Sequence, residues 1–147
     1  MSNQKNTDSN ENNIFINGKQ QVVELLRYME TSEKTKLLRN IKGRNPTLAK
    51  ELSEQCFSFE NIWGLGDEDL SKVLSGVKSV ILGLALNQSS IKNQKRSLSL
   101  IARDQAIKAY EVMTKDLSDN RRECFRAQEK ILEYALELNR KQMIRFY

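Results

Sequence analysis

From Lys19 onward apolar positions recur three and four apart, and no alternating run long enough for a strand interrupts them. The pattern predicts an all-α chain. Val23, Leu26 and Met29 mark a first helix from about Lys19. Ser32 is placed to cap a second, with Leu37, Leu38 and Ile41 turned inward. Asn45-Pro46 opens a third, a cap followed by Pro at the first helical position, where the missing N–H costs nothing. That helix carries Leu48, Ala49 and Leu52 to the inside and ends near Cys56.

The stretch Cys56 to Gly66 is too aromatic for a solvated linker and too rich in glycine at its end for one continuous helix, so it reads as a packed connection. Asp67 starts a short helix with Leu70, Val73 and Leu74, and Ser79 starts another through Ile81, Leu82 and Leu86. Ser89 or Ser90 caps a helix carrying Ile91, Leu98 and Ile101. The next, about Arg103 to Leu117, places Ala106, Tyr110, Met113 and Leu117 on one face and Asp104, Lys108, Glu111 and Lys115 on another. Ser118 is read as the cap of a long last helix burying Cys124, Phe125, Ile131, Leu132, Ala135 and Leu136. Met143 to Tyr147 form a short apolar end that should fold back on the body.

Composition removes several kinds of chemistry. The 147 residues contain no His, so Ser/His/Asp and Cys/His nucleophiles and the commonest metal ligand are excluded. Cys56 and Cys124 are too far apart in sequence for a CxxC pair and read as buried reduced thiols. The one acidic cluster, Asp67-Glu68-Asp69, sits at a helix start, where carboxylates are favourable for structural reasons. No enzyme, metal or cofactor is expected.

The net charge of +5 is concentrated in the C-terminal half. There the basic residues alternate with acids, as in Arg103-Asp104, Lys115-Asp116 and Arg122-Glu123, which describes a solvated helix face better than a phosphate-binding one. Nucleic-acid binding is the third-ranked reading. Met1 to Asn13 hold no apolar residue after Met1, which predicts a disordered leader over about 1–15. No signal-peptide pattern or run of about 18 apolar residues occurs, so a cytoplasmic protein without direct membrane insertion is expected.

At the aromatic connection the sequence resembles a known family. Asn45-Pro46-Thr47-Leu48-Ala49 followed by Phe57-Ser58-Phe59-Glu60-Asn61-Ile62 is similar to the Asp-Pro-Glu-Leu-Ala and Met-Phe-x-Phe-Glu-Asp-Ile pattern of the flagellar motor switch protein FliG. Upstream, Asn17-Gly18-Lys19 and Val22-Val23-Glu24-Leu25-Leu26 resemble the family's Gly-Gly segment and the helix after it. Downstream, Leu84-Ala85-Leu86 and Ala127-Gln128 fall on its Leu-Ala-Leu and Ala-Gln. These anchors join without a gap over Ile16 to Tyr147 and correspond to the family's C-terminal half, as in a truncated or divergent paralogue. The front-half Glu-His-Pro-Gln motif has no counterpart in these residues.

The resemblance implies an armadillo-like three-helix unit (16–56), a Phe-x-Phe hinge (57–66, with Phe57 and Phe59) and a six-helix, right-handed superhelical unit (67–147). It implies partners as well. The first unit would stack on a full-length FliG-like neighbour, and the second would present charges to the cytoplasmic loop of the stator, at the cytoplasmic face of the inner membrane in the flagellar basal body.

Carried over position by position, the family's stator-facing Lys falls on Asn87 and its first Arg on Asp104, beside Arg103. Of its two successive acids Glu111 is kept and the other is Val112. The Arg of its Pro-Val-Arg turn falls on Asn120, followed by Arg121 and Arg122. The expected partner-binding residues are therefore Arg103, Asp104, Lys108, Glu111, Lys115, Arg121 and Arg122. Two readings follow: a rotor or switch component acting by protein–protein contacts, and a helical adaptor that kept the fold without transmitting torque.

Overall fold

The computed structural model describes residues 18–147, and the leader expected over 1–15 lies outside them. Among the described residues every regular element is helical, as the periodicity predicts. The chain divides into two compact units, one ending at Phe57 and the other Ser58–Tyr147.

The first unit holds α1 (18–28), α2 (Thr31–Arg44) and α3 (Pro46–Cys56). Val23, Leu26, Leu38, Ala49, Leu52 and Cys56 are buried in it. Asn45 caps α3 as expected, its side chain accepting from the Leu48 N–H at 3.1 Å, with Pro46 next in line. Ser32 does not cap α2. The turn after α1 is so short that the helix already begins at Thr31, and Glu30 precedes it without a side-chain cap. The inward stripe of α2 is also more polar than expected: Leu38 is buried with Lys34, while Leu37 and Ile41 are half-buried. Lys19 pairs with Glu51, and Arg27 Nε donates to the Gln55 carbonyl at 3.1 Å, so α1 is tied to α3 at two places.

The second unit begins with a 3-10 turn, Phe59–Gly64. It continues through α4 (Asp67–Ser75), α5 (Ser79–Asn87), α6 (Ile91–Ser99), α7 (Arg103–Met113) and, after a 3-10 turn at Ser118–Asn120, α8 (Arg121–Arg140). Where the resemblance implied six helices, the unit has five α-helices and these two 3-10 turns among the described residues. Ser90 is the cap of α6, accepting from the Asn93 N–H at 3.2 Å. Ser118 caps nothing. Its N–H is taken by the Asp116 carboxylate at 3.1 Å, and α8 starts three residues later.

α5 reads Ser-Val-Ile-Leu-Gly-Leu-Ala-Leu-Asn and has no charged residue with which to face water, so it lies in the interior and packs chiefly on α7 and α8. At Gly83 the approach to α7 is so close that an added Cβ would stand 2.6 Å from both the Ala109 carbonyl oxygen and Val112 Cβ. This contact sets the rotation of α7. The small, fully buried Ala109 faces α5, with Gln105, Ala106, Val112 and Met113 half-buried beside it. Tyr110, one residue on, is turned away by about 100° and is exposed, against the expectation that it faces inward. Phe125, expected in the core face of α8, is exposed too, because Cys124, Ala127, Gln128 and Ile131 take the inward positions.

Two polar devices close the unit. Arg96 donates to the Trp63 carbonyl (2.8 Å), the Leu65 carbonyl (2.7 Å) and the Asp67 carboxylate (3.0 Å), fastening the first 3-10 turn and the entry to α4 onto α6. The chain end folds back as expected, with Ile144, Phe146 and Tyr147 buried. Asn139 Oδ1 holds it by accepting from the Phe146 N–H at 2.8 Å and the Tyr147 N–H at 3.1 Å.

Four substitutions test this packing through thermal or urea unfolding. Gly83→Ala must push α5 off α7 and should cost about 1–3 kcal/mol. Asn139→Ala withdraws the acceptor from two buried amides and should cost about 1–3 kcal/mol, with the last residues becoming protease-sensitive. Arg96→Ala should cost about 1.5–3 kcal/mol. Asp67→Ala should cost less than about 1 kcal/mol, because it removes just the solvent-exposed acceptor of the set.

Candidate functional site

Of the segment expected as a hinge, 57–66, Phe57 is the last residue of the first unit and the rest belongs to the second. Phe57 terminates α3 with an extended backbone (φ −80°, ψ 142°), its N–H still bonded to the Ser53 carbonyl at 3.2 Å. Ser58 is extended as well (φ −118°, ψ 167°), and its N–H is accepted by Asn61 Oδ1 at 2.8 Å, which starts the 3-10 turn. Phe57 and Phe59 are both buried. Phe59 meets Trp63 edge to face, with centroids 5.4 Å apart.

On the first-unit side Lys34 is almost wholly buried, which the sequence pattern did not show. Its ammonium donates to the Cys56 carbonyl at 3.0 Å and stands 5.4 Å from the centroid of the Phe57 ring. A cation thus sits at the negative end of α3, where it complements the unpaired carbonyls of the last turn. Burial pushes the Lys34 amine below its ordinary value, the neighbouring Cys56 thiol opposing this; burial pushes that thiol up. Cys56 and Cys124 are free and buried, as expected.

The expected partner-binding residues all lie in the second unit, and all are exposed. Arg103, Asp104, Lys108 and Glu111 belong to α7, and Lys115 follows in its closing turn. Arg121 and Arg122 open α8. Asp104, Lys108 and Glu111 are spaced four and three apart, so that they share one side of α7, and Lys115 lies two residues beyond its end. Despite that spacing, none of these side chains makes an ion pair or hydrogen bond with a described residue.

The sequence pattern missed the apolar residues among these charges. Ile107 and Tyr110 are 51% and 54% exposed on α7, and Phe125 is exposed beside Arg121, Arg122 and Arg126 at the start of α8. The signal was present in Gly83 and Ala109: two small residues on facing helices fix which side of α7 is buried.

Among the described residues no three metal-ligating side chains come together. The three carboxylates at the start of α4 have structural partners: Asp67 pairs with Arg96, Glu68 lies 3.9 Å from Lys72, and Asp69 accepts from the Arg145 N–H at 3.2 Å. Among the described residues no helix is long and apolar enough to cross a membrane. Asn87, at the position of the family's Lys, uses its side-chain amide internally. It donates to the Met113 carbonyl (2.9 Å) and the Lys115 carbonyl (3.1 Å), and so closes the end of α7.

Comparison with known proteins agrees with this layout. Residues 39–146 match the family model of the FliG C-terminal domain. A crystal structure of a FliG fragment from H. pylori is similar at 24% identity and a TM-score of 0.64, covering 86% of this chain and 56% of that one. A second H. pylori FliG fragment gives 24% identity and a TM-score of 0.56 over 84% of this chain and 58% of that one. Full-length FliG from Aquifex aeolicus gives 23% and 0.57, with 84% of this chain and 39% of that one covered. The chain therefore spans less than two thirds of each of these structures. No curated protein sequence matches it. With the match running from α2 through α8, the chain belongs to the FliG C-terminal domain family.

Proposed function

We propose that this chain is a rotor or switch component, or an accessory, of the flagellar motor, acting through protein–protein contacts at the cytoplasmic face of the inner membrane in the basal body. The observation that carries this reading is the set of exposed, uncommitted charges on α7 and the start of α8, within a chain of the FliG family. Its partners are a full-length FliG-like neighbour, met by the armadillo-like first unit, and the cytoplasmic loop of the stator, met by Arg103, Asp104, Lys108, Glu111, Lys115, Arg121 and Arg122. Exposed pairs contribute only ~0–1 kcal/mol each, so their part in such contacts is steering and register. Phe57 and Phe59 belong to the hinge, whose first two residues, Phe57 and Ser58, are extended.

One observation favours the second reading, an adaptor that does not transmit torque. Asn87 replaces the family's Lys and is occupied with capping α7, so that position offers a partner no charge.

Motility separates the two readings. Under the first, deletion of the gene alters swimming and the protein co-purifies with basal bodies. The double charge reversal Glu111→Lys with Arg121→Glu should change swimming while leaving thermal unfolding within about 0.5 kcal/mol of wild type. Normal swimming with no basal-body association selects the adaptor. A steep salt-dependent shift of DNA or RNA would instead assign the Arg121, Phe125 and Arg126 cluster to nucleic acid.

A further inference from the structure

α1 is apolar on two sides. Val23 and Leu26 are buried in the first unit, and the ties from Lys19 to Glu51 and from Arg27 to Gln55 hold the helix there. A turn of about 100° per residue gathers Gly18, Gln21, Val22, Leu25 and Tyr28 on the opposite side, and none of the five is charged. Leu25 is 61% and Tyr28 86% exposed there, with Val22 half-buried beside them. Exposed apolar residues scattered singly are ordinary on a surface. Two of them one turn apart, with a third adjacent and no charge among them, form a helix side that lacks the polar groups a solvated one carries.

The chain immediately ahead of the helix supplies a cover. Residues 1–17 precede the described ones and join α1 at Gly18. After Met1 their only apolar residues are Ile14, Phe15 and Ile16, contiguous and within four positions of Gly18. Asn17 separates them from the helix, and Asn is a residue type suited to chain reversal. The lengths agree. Two, three and four extended residues span about 7, 10 and 14 Å, while Val22, Leu25 and Tyr28 lie about 6, 10 and 15 Å along the axis from Gly18. A chain turning back at Asn17 thus sets Ile16 beside Val22, Phe15 beside Leu25 and Ile14 beside Tyr28.

We propose that the uncharged side of α1 is the docking surface of Ile14-Phe15-Ile16 from the same chain, laid antiparallel along it. The tether argues for this occupant: a segment two to four residues away reaches the side at an effective concentration that a free partner does not match. Packing of an apolar residue ahead of a helix onto its first turns is also a known way of fixing chain entry. Both parts of the contact gain, since each leaves apolar surface in water when uncovered. The proposal goes beyond the motor reading and does not rest on it.

Nuclear Overhauser contacts and amide hydrogen exchange on the full chain, measured over a range of protein concentrations, test it. Contacts from the Phe15 ring to the Leu25 side chain are expected at every concentration. Phe15→Ser and Leu25→Ser should each speed exchange of the α1 amides about tenfold. The double variant should exchange no faster than the faster single one, because both substitutions remove the same contact. Phe15→Leu, which keeps an apolar side chain, should exchange like wild type. Circular dichroism checks that each variant keeps its helices. Exchange indifferent to Phe15→Ser overturns the proposal, and so do effects of the two serine substitutions that simply add. Protection of α1 that appears only as concentration rises overturns it as well, since a second copy is then the occupant. Motility does not enter these measurements, so their failure leaves the motor reading where it stands.

Discussion

The close approach of α5 to α7 at Gly83 governs the rest of the second unit. α5 is apolar on every side and cannot lie at a surface without exposing a large patch, so α7 and α8 cover it. Covering it closely requires facing residues without bulk, and Gly83 against the backbone at Ala109 supplies them. Once that contact forms, the rotation of α7 has no freedom left. Ala109 is inside, Tyr110 and Ile107 are outside, and Asp104, Lys108 and Glu111 point to water. The charged face is thus a consequence of two small residues that carry no charge.

The first unit solves a different problem, how to end a helix at a chain exit without leaving its carbonyls unpaired. Polar caps at helix C-termini are usually glycine or solvent. Here the chain leaves α3 extended, and a buried lysine from α2 reaches the Cys56 carbonyl. Burying an ammonium is costly unless it is paired. The carbonyl and the face of the Phe57 ring offset that cost together, which couples the packing of Phe57 to a side chain more than twenty positions earlier. The lowered affinity of Lys34 for its proton reflects the part of the cost that remains.

How far the sequence could be read depended on which signals are local. Helix identity and most starts were legible: Asn45 and Ser90 mark their elements by caps that act over three residues, and α4, α5 and α7 begin at Asp67, Ser79 and Arg103 as expected, without a side-chain cap. Ser32 and Ser118 failed as caps because a short turn and the Asp116 carboxylate claimed the local geometry first. The facing of α7 and α8 was not legible from periodicity, because Tyr110 and Phe125 are apolar residues standing one place from small buried ones, Ala109 and Cys124. Size complementarity with another helix decides between such neighbours. The candidate surface was accordingly legible in its charges and illegible in the exposure of Ile107 and Tyr110.

The exposed Ile107 changes what the charges can do. A row of solvated ion pairs by itself binds weakly and without a fixed depth, because each pair is nearly balanced by lost hydration and side-chain entropy. Ile107, one turn before Glu111, gives an incoming helix something to bury at the edge of the row, and the alternating charges then choose its direction and register. The rule is the same for any helix that docks here: antiparallel it must repeat this order of signs, and parallel it must invert it.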